Sequence, residues 1–97
     1  MSRTEASETI VRDEGRPGTP GKFDLLIGGK RLGRLDYSLP DKETLTIDYV
    51  EVDPSLRGQG MGQKLVAAAI EWARTGSRHV IPHCSYARAV MARNKDL

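Results

Sequence analysis

VEVDPSLRGQGMGQKLVAAAIEWA, residues 50–73, decides the reading of the chain. Val50, Glu51 and Val52 finish a β-branched, alternating run. Pro54 ends strand pairing, because proline has no N–H to give to a neighbouring strand. Glycines then fall at every second position, Gly58, Gly60 and Gly62, and an alanine-rich run with helical spacing follows directly. Strand, glycine loop and helix in this order form an architecture that holds phosphate. Glycines let the backbone approach a ligand, and the unbonded N–H groups of the first helical turn point at it with the positive end of the helix dipole. An anion there gains about 0.3–1 kcal/mol from the dipole alone.

On the N-terminal side, residues 44–52 read as the most regular strand. Leu45, Ile47 and Tyr49 alternate with Thr44, Thr46 and Asp48. Period two then puts Asp48 and Glu51 on opposite faces. Three shorter strands are expected before it, at 9–12, 22–27 and 30–39. The segment 13–21 is a loop rich in Gly and Pro, Gly28-Gly29 is a tight hairpin turn, and 40–42 is a second turn. Leu32, Leu35, Tyr37 and Leu39 are available for packing. On the C-terminal side, a helix is expected over 60–75. Its packing face is Met61, Leu65, Ala68, Ala69 and Trp72, and Gly76 takes the left-handed closing position. Residues 79–81 form a strand, and 85–94 a last helix capped by Ser85 and packed through Tyr86, Ala87, Val90 and Met91. Short turns between the early strands give an antiparallel meander. The strand–helix–strand passage gives a parallel, right-handed pair. The fold class is therefore α+β with a mixed sheet: meander, parallel strand–helix–strand unit, C-terminal helix.

The 97 residues are read as one domain, residues 1–97, with residues 1–8 polar and frayed. A net charge of +2 is too small to argue for nucleic acid. One cysteine excludes an intrachain disulfide, and the longest apolar run, 65–70, is far too short for a membrane span. The N-terminal segment has no apolar core of a secretory signal, so a cytoplasmic chain without membrane or nucleic-acid partners is expected, as a monomer or weak dimer. No metal ligand set is expected.

The glycine spacing fits neither the dinucleotide fingerprint nor the nucleotide P-loop. It does match Arg-x-x-Gly-x-Gly, as Arg57, Gly60 and Gly62, preceded by Val-x-Val-Asp-Pro, and followed later by Pro82-His83-Cys84-Ser85-Tyr86. Over residues 22–94 this resembles the minimal branch, about this long, of the GNAT N-acetyltransferase superfamily. The resemblance implies acetyl-CoA as cosubstrate and an amine of a small molecule or protein as acceptor. It implies that the pantetheine arm lies in a wedge between the strand ending at Val52 and the one ending at Pro82. Main-chain groups of Val50, Glu51 and Val52 then meet the arm. Arg57, Gly58 and the N–H groups of Gln59, Gly60, Met61, Gly62 and Gln63 meet the pyrophosphate.

Acyl transfer needs a deprotonated amine, donors for the oxyanion and an acid for the leaving thiolate. Asp48 and Glu51 are candidate proton acceptors, though each is read first as a solvated strand carboxylate. The resemblance places Cys84 near the acyl group, as nucleophile, as polar lining or as a small buried residue. His83 is read as facing solvent and His79 as structural. The superfamily often carries Asn-x-x-Ala-x-x-x-Tyr here, with the tyrosine as acid; the matching residues are Cys84, Ala87 and Met91, and methionine has no proton to give. Tyr86 stands nearby as a candidate acid or a packing residue. Arg88, Arg93 and Lys95 are candidates to approach the phosphates. A non-catalytic coenzyme A or acyl-CoA binding module is the alternative reading.

Overall fold

The computed structural model describes residues 8–14 and 20–94; the expectations for the frayed start, most of the 13–21 loop and Lys95 lie outside them. Five strands, β1 (Glu8–Asp13), β2 (Gly21–Ile27), β3 (Lys30–Asp41), β4 (Thr44–Val52) and β5 (His79–Pro82), form one sheet in that spatial order. The first four pair antiparallel and β4–β5 pair parallel, as the connection lengths require. Helix α1 (Met61–Thr75) links β4 to β5, and α2 (Ser85–Arg93) follows β5. Both helices share one core with the sheet, built from Leu25, Leu35, Leu45, Ile47, Leu65, Val66, Ala69, Ala87 and Val90 among others. Among the described residues no helix covers the opposite face, and no helix is long and apolar enough to cross a membrane.

The hairpin at Gly28-Gly29 has φ of 60° and 83°, which glycine adopts without strain. The next turn is Lys42-Glu43, one residue later than expected, because the Asp41 carboxylate accepts from the Glu43 N–H at 2.8 Å. Period two fails in two places. Asp36 pairs with Tyr49 but Tyr37 pairs with Ile47, so Asp48 is an extra residue in β4, a β-bulge. Beyond it the pleat inverts: Val50 and Val52 turn to the helices, and Tyr49 is 45% exposed rather than aligned with Leu45 and Ile47. Asp48 and Glu51 therefore share the outer, helix-free side instead of opposite faces. A second shift between Ser38 and Asp41 leaves Leu39 exposed rather than packed.

In α1 the innermost line is Gly62, Leu65, Val66, Ala69, Ile70 and Ala73, while Met61, Ala68 and Trp72 flank it, half-buried. Trp72 sits at the sheet end of the core. Its ring centroid is 5.5 Å from that of Tyr37, with the guanidinium carbons of Arg12 at 4.3 Å and Arg78 at 4.8 Å. Arg12 also donates to the Tyr37 hydroxyl at 3.0 Å, which raises its pKa further. Gly76 has φ −99°; the left-handed residue is Ser77, at φ 57°. A Cβ at 76 would meet the end of the Arg78 guanidinium, which would have to shift.

Leu35 is fully buried between sheet and helices. Leu35→Ala is expected to cost about 2–5 kcal/mol, seen in urea titration as a lower midpoint at unchanged slope.

Candidate functional site

The ladder between β4 and β5 ends at Ile47↔Pro82, yet β4 continues to Val52. The two strands fork there. The Ile47 carbonyl accepts from both His83 N–H, at 3.0 Å, and Cys84 N–H, at 3.1 Å, so the chain leaving β5 is pinned to the last paired residue of β4. Past that point β4 pairs only with β3, and its other edge offers main-chain groups to a ligand. The far end of β4 is tied down separately, by Asp53 N–H donating to the Leu32 carbonyl at 2.8 Å.

A one-turn 3-10 helix, Pro54–Leu56, begins the connection to α1. Asp53 caps it by accepting from Ser55 N–H at 2.9 Å. Hydrogen bonds from Ser55 hold the Asp53 carboxyl below the usual carboxylate range, with the charge of Lys30 adding to them. Its contribution to the loop is thus present above that range and lost as pH falls through the depressed value. Gly58 and Gly60 follow with φ of 80° and 74°, and nothing stands within 4 Å of where a Cβ on either would be. Gly60 is the residue just before α1, and the first hydrogen bond into the helix runs from Lys64 N–H to its carbonyl at 3.1 Å. The N–H groups of Met61, Gly62 and Gln63 precede that bond and open on the loop. Gln59 does not join them: its N–H is spent on the Leu56 carbonyl at 3.2 Å.

A cleft of about 310 Å³ lies here, lined by Val50 and Val52 on one side, Arg57, Gly58, Gly60 and Gly62 on the other, and Tyr86 across its floor. Tyr86 reaches α1 instead of packing beneath its own helix. It is 41% exposed, and its phenol occupies the space that a side chain at position 62 would need. Sequence spacing marks Gly62 as part of the loop; its packing against Tyr86 depends on how α2 crosses α1 and has no local signal.

The other candidates lie elsewhere. Glu51 faces a separate shallow depression with Arg31, Leu32, Gly33, Arg34 and Asp53. Asp48 is on the outer face, held by the hydroxyls of Ser38 at 2.9 Å and Thr46 at 3.0 Å. Cys84 is half-buried at the fork as a free thiol and occupies the residue before α2, the place expected for Ser85; no side chain caps that helix. Gln63 is exposed and donates to Asn94 at 3.2 Å. Arg88 donates to the His83 carbonyl at 3.0 Å and does not line the cleft, nor does Arg93. Met91 is half-buried against the core. Among the described residues no group of three His, Cys, Asp or Glu side chains is placed to hold a metal ion.

The sequence profile of the GCN5-related N-acetyl-transferases matches residues 22–97. The chain belongs to that family. Solved structures share its fold. An IAA acetyltransferase from Bacillus cereus superposes with TM-score 0.71 at 20% identity, covering 90% of this chain and 75% of its own. An aminoglycoside N-acetyltransferase in complex with CoA gives 0.65 at 16% identity, covering 80% and 60%. A ribosomal-protein-alanine N-acetyltransferase from Brucella melitensis gives 0.64 at 15%, covering 76% and 61%. The chain thus spans about 60% of the length of two of these three. No curated protein matches it.

The Gly62–Tyr86 contact makes a measurable prediction. Gly62→Ala alone is expected to destabilise by about 1–3 kcal/mol through overpacking. In a Tyr86→Ala background the same change is expected to be neutral or stabilising, since alanine suits a helix better than glycine. A double-mutant cycle by chemical denaturation reads the difference.

Proposed function

We propose that this protein is an acetyl-CoA-dependent N-acetyltransferase that transfers acetyl to an amine of a small molecule or protein. The observation that carries the reading is the continuity of the cleft. It starts at a glycine loop on a helix N-terminus and runs along the unpaired edge of β4 toward the fork, a shape suited to a long ligand with a phosphate at one end. The backbone N–H groups of Met61, Gly62 and Gln63 take the pyrophosphate, and Arg57 adds fixed positive charge. Main-chain groups of Val50 and Val52 take the pantetheine amides as an added strand would, and Tyr86 forms the floor. The bound cosubstrate supplies an activated acetyl thioester.

At the fork the chain's own groups position the reaction. A β4 main-chain N–H beyond the bulge stabilises charge on the carbonyl oxygen. Cys84 lies beside the thioester sulfur and is not itself acylated in the main cycle, so transfer is direct. Because Met91 takes the place of the superfamily's acid, the thiolate leaves with a proton from the attacking nitrogen or from Tyr86. We read the protein as cytoplasmic, in line with its single free cysteine, and as a monomer or weak dimer. The methionine at that place also favours a second reading, a non-catalytic coenzyme A binding module.

Gly60→Val puts a β-branched side chain at φ 74° and into the approach to the loop. It is expected to abolish coenzyme A binding in calorimetry while the circular dichroism stays native. Arg57→Ala is expected to weaken binding about tenfold at low salt, and less at high salt. Unchanged affinity in both variants would remove the cofactor site from this loop.

Incubation with acetyl-CoA without an amine is expected to leave Cys84 unmodified by mass spectrometry, with Cys84→Ala retaining most turnover. A stable acetyl adduct on Cys84 would instead assign it as nucleophile. Coenzyme A binding without turnover on any amine would favour the binding module.

A further inference from the structure

The fork carries a second pair of residues with no part in the cleft. Asp48 is the first residue of β4 beyond its last pairing with β5, and His83 is the first residue beyond β5. Their side chains meet on the outer face, with His83 Nδ1 3.9 Å from Asp48 Oδ1. The hydroxyls of Ser38 and Thr46 fix the carboxylate, one on each oxygen. The Ile47 carbonyl fixes the histidine backbone at 3.0 Å. His83 keeps 64% of its side chain exposed, so the edge of its ring away from Asp48 opens to solvent. From α2, Arg88 contributes a guanidinium at the His83 carbonyl, 3.0 Å away. Tyr49, 45% exposed, and Ile81, 44% exposed, lie on the same face as neighbours of the pair along their strands.

We propose that His83 and Asp48 form the amine-accepting side of the site: His83 takes the proton from the incoming ammonium, and Asp48 positions the imidazole and draws the cation in. The proposal rests on the acetyltransferase reading and adds the acceptor class, a primary alkylamine arriving on the helix-free face of the sheet. The cosubstrate approaches from the helix side, so donor and acceptor meet at the fork from opposite faces. With Nδ1–H turned toward Asp48, the Nε2 lone pair is free for a proton. The R–NH₃⁺ group gives one proton to Nε2. The freed nitrogen lone pair forms the C–N bond to the acetyl carbon as the C–S bond breaks. A second nitrogen proton ends on the coenzyme A sulfur, and the imidazolium then releases its proton to water. Tyr49 and Ile81 flank the alkyl chain. Asp48 takes no proton itself: it positions His83 and attracts the ammonium charge.

The reason for a base is chemical. An alkylamine is almost wholly protonated at neutral pH and cannot attack until it loses that proton. Hydroxylamine is neutral under the same conditions and needs no base. The experiment compares acetyl transfer from acetyl-CoA to Nα-acetyl-lysine amide and to hydroxylamine, in the full chain and in His83→Gln and Asp48→Asn. Transfer to the lysine amide is expected to fall by about 10²–10⁴-fold in His83→Gln, and by a smaller factor in Asp48→Asn. Transfer to hydroxylamine and coenzyme A affinity are expected to stay within about twofold of wild type. Independently of turnover, lysine amide added to the protein loaded with coenzyme A should shift the amide resonances of Asp48, Tyr49 and His83, and Asp48→Asn should abolish those shifts.

Equal slowing of both acceptors, or of neither, overturns the base assignment and leaves the acetyltransferase reading standing. Transfer to hydroxylamine alone by the wild type overturns the alkylamine class. Wild-type protein that binds coenzyme A and transfers to neither acceptor overturns the acetyltransferase reading, and the base with it. Shifts confined to the helix-side cleft would place the acceptor on the wrong face for His83.

Discussion

The structure turns on a single carbonyl. Ile47 O accepts the N–H groups of both His83 and Cys84, and by doing so sets where β4 and β5 stop running together. Had the ladder continued, the β4 edge from Asp48 to Val52 would be filled by another strand and closed to ligands. Had it ended sooner, Leu45 and Ile47, both fully buried, would lose the neighbour that covers them. The bulge at Asp48 falls at the same level and completes the fork. It absorbs the extra residue, inverts the pleat, and turns Val50 and Val52 toward the helices, where they wall the cleft. One register change thereby divides β4 into a structural half and a ligand-facing half.

The cleft is made by two helices that come close for a simple steric reason. Gly62 has no side chain, so the Tyr86 ring can lie against the first turn of α1. This brings an aromatic surface to the loop and leaves the first-turn N–H groups exposed beside it. The same crossing buries Ala87 and Val90 against the shared core. A domain this small has little apolar surface to spare. Its core is accordingly concentrated on one side of the sheet, leaving the outer side to charged and hydroxyl groups. Arg34 lies 3.3 Å from Asp36 and 5.3 Å from the Tyr49 ring centroid there. Asp24 lies 3.6 Å from Arg31.

The local sequence determined much of this. Periodicity of two located β4, the Gly- and Pro-rich turns bounded the strands before it, the proline and alternating glycines at 54–62 stopped β4, and the alanine-rich run specified α1. These signals are legible because they depend on backbone freedom and nearest neighbours along the chain. The same holds for the parallel β4–β5 pair, since a helix of this length between two strands leaves few topologies. Family membership rests on the same short-range pattern, with residues 22–97 matching as a unit.

What only the tertiary structure decided is which groups meet. The bulge at Asp48 has no sequence signature: it arises from the pairing of β3 with β4, and it moved Tyr49 and Glu51 off the faces that simple alternation gave them. The αL residue after α1 is Ser77 rather than Gly76, because the closing bonds run from Ser77 N–H to the Arg74 carbonyl and from Arg78 N–H to the Ala73 carbonyl, which puts the left-handed position at 77. Cys84 rather than Ser85 precedes α2 because Ile47 holds it there. Tyr86 and Gly62 are 24 residues apart, and His83 and Asp48 are 35 apart. Neither pair can be read from spacing along one element, because each contact is set by where two separate elements cross. The residue types are written in the chain, but the distances between them come from packing.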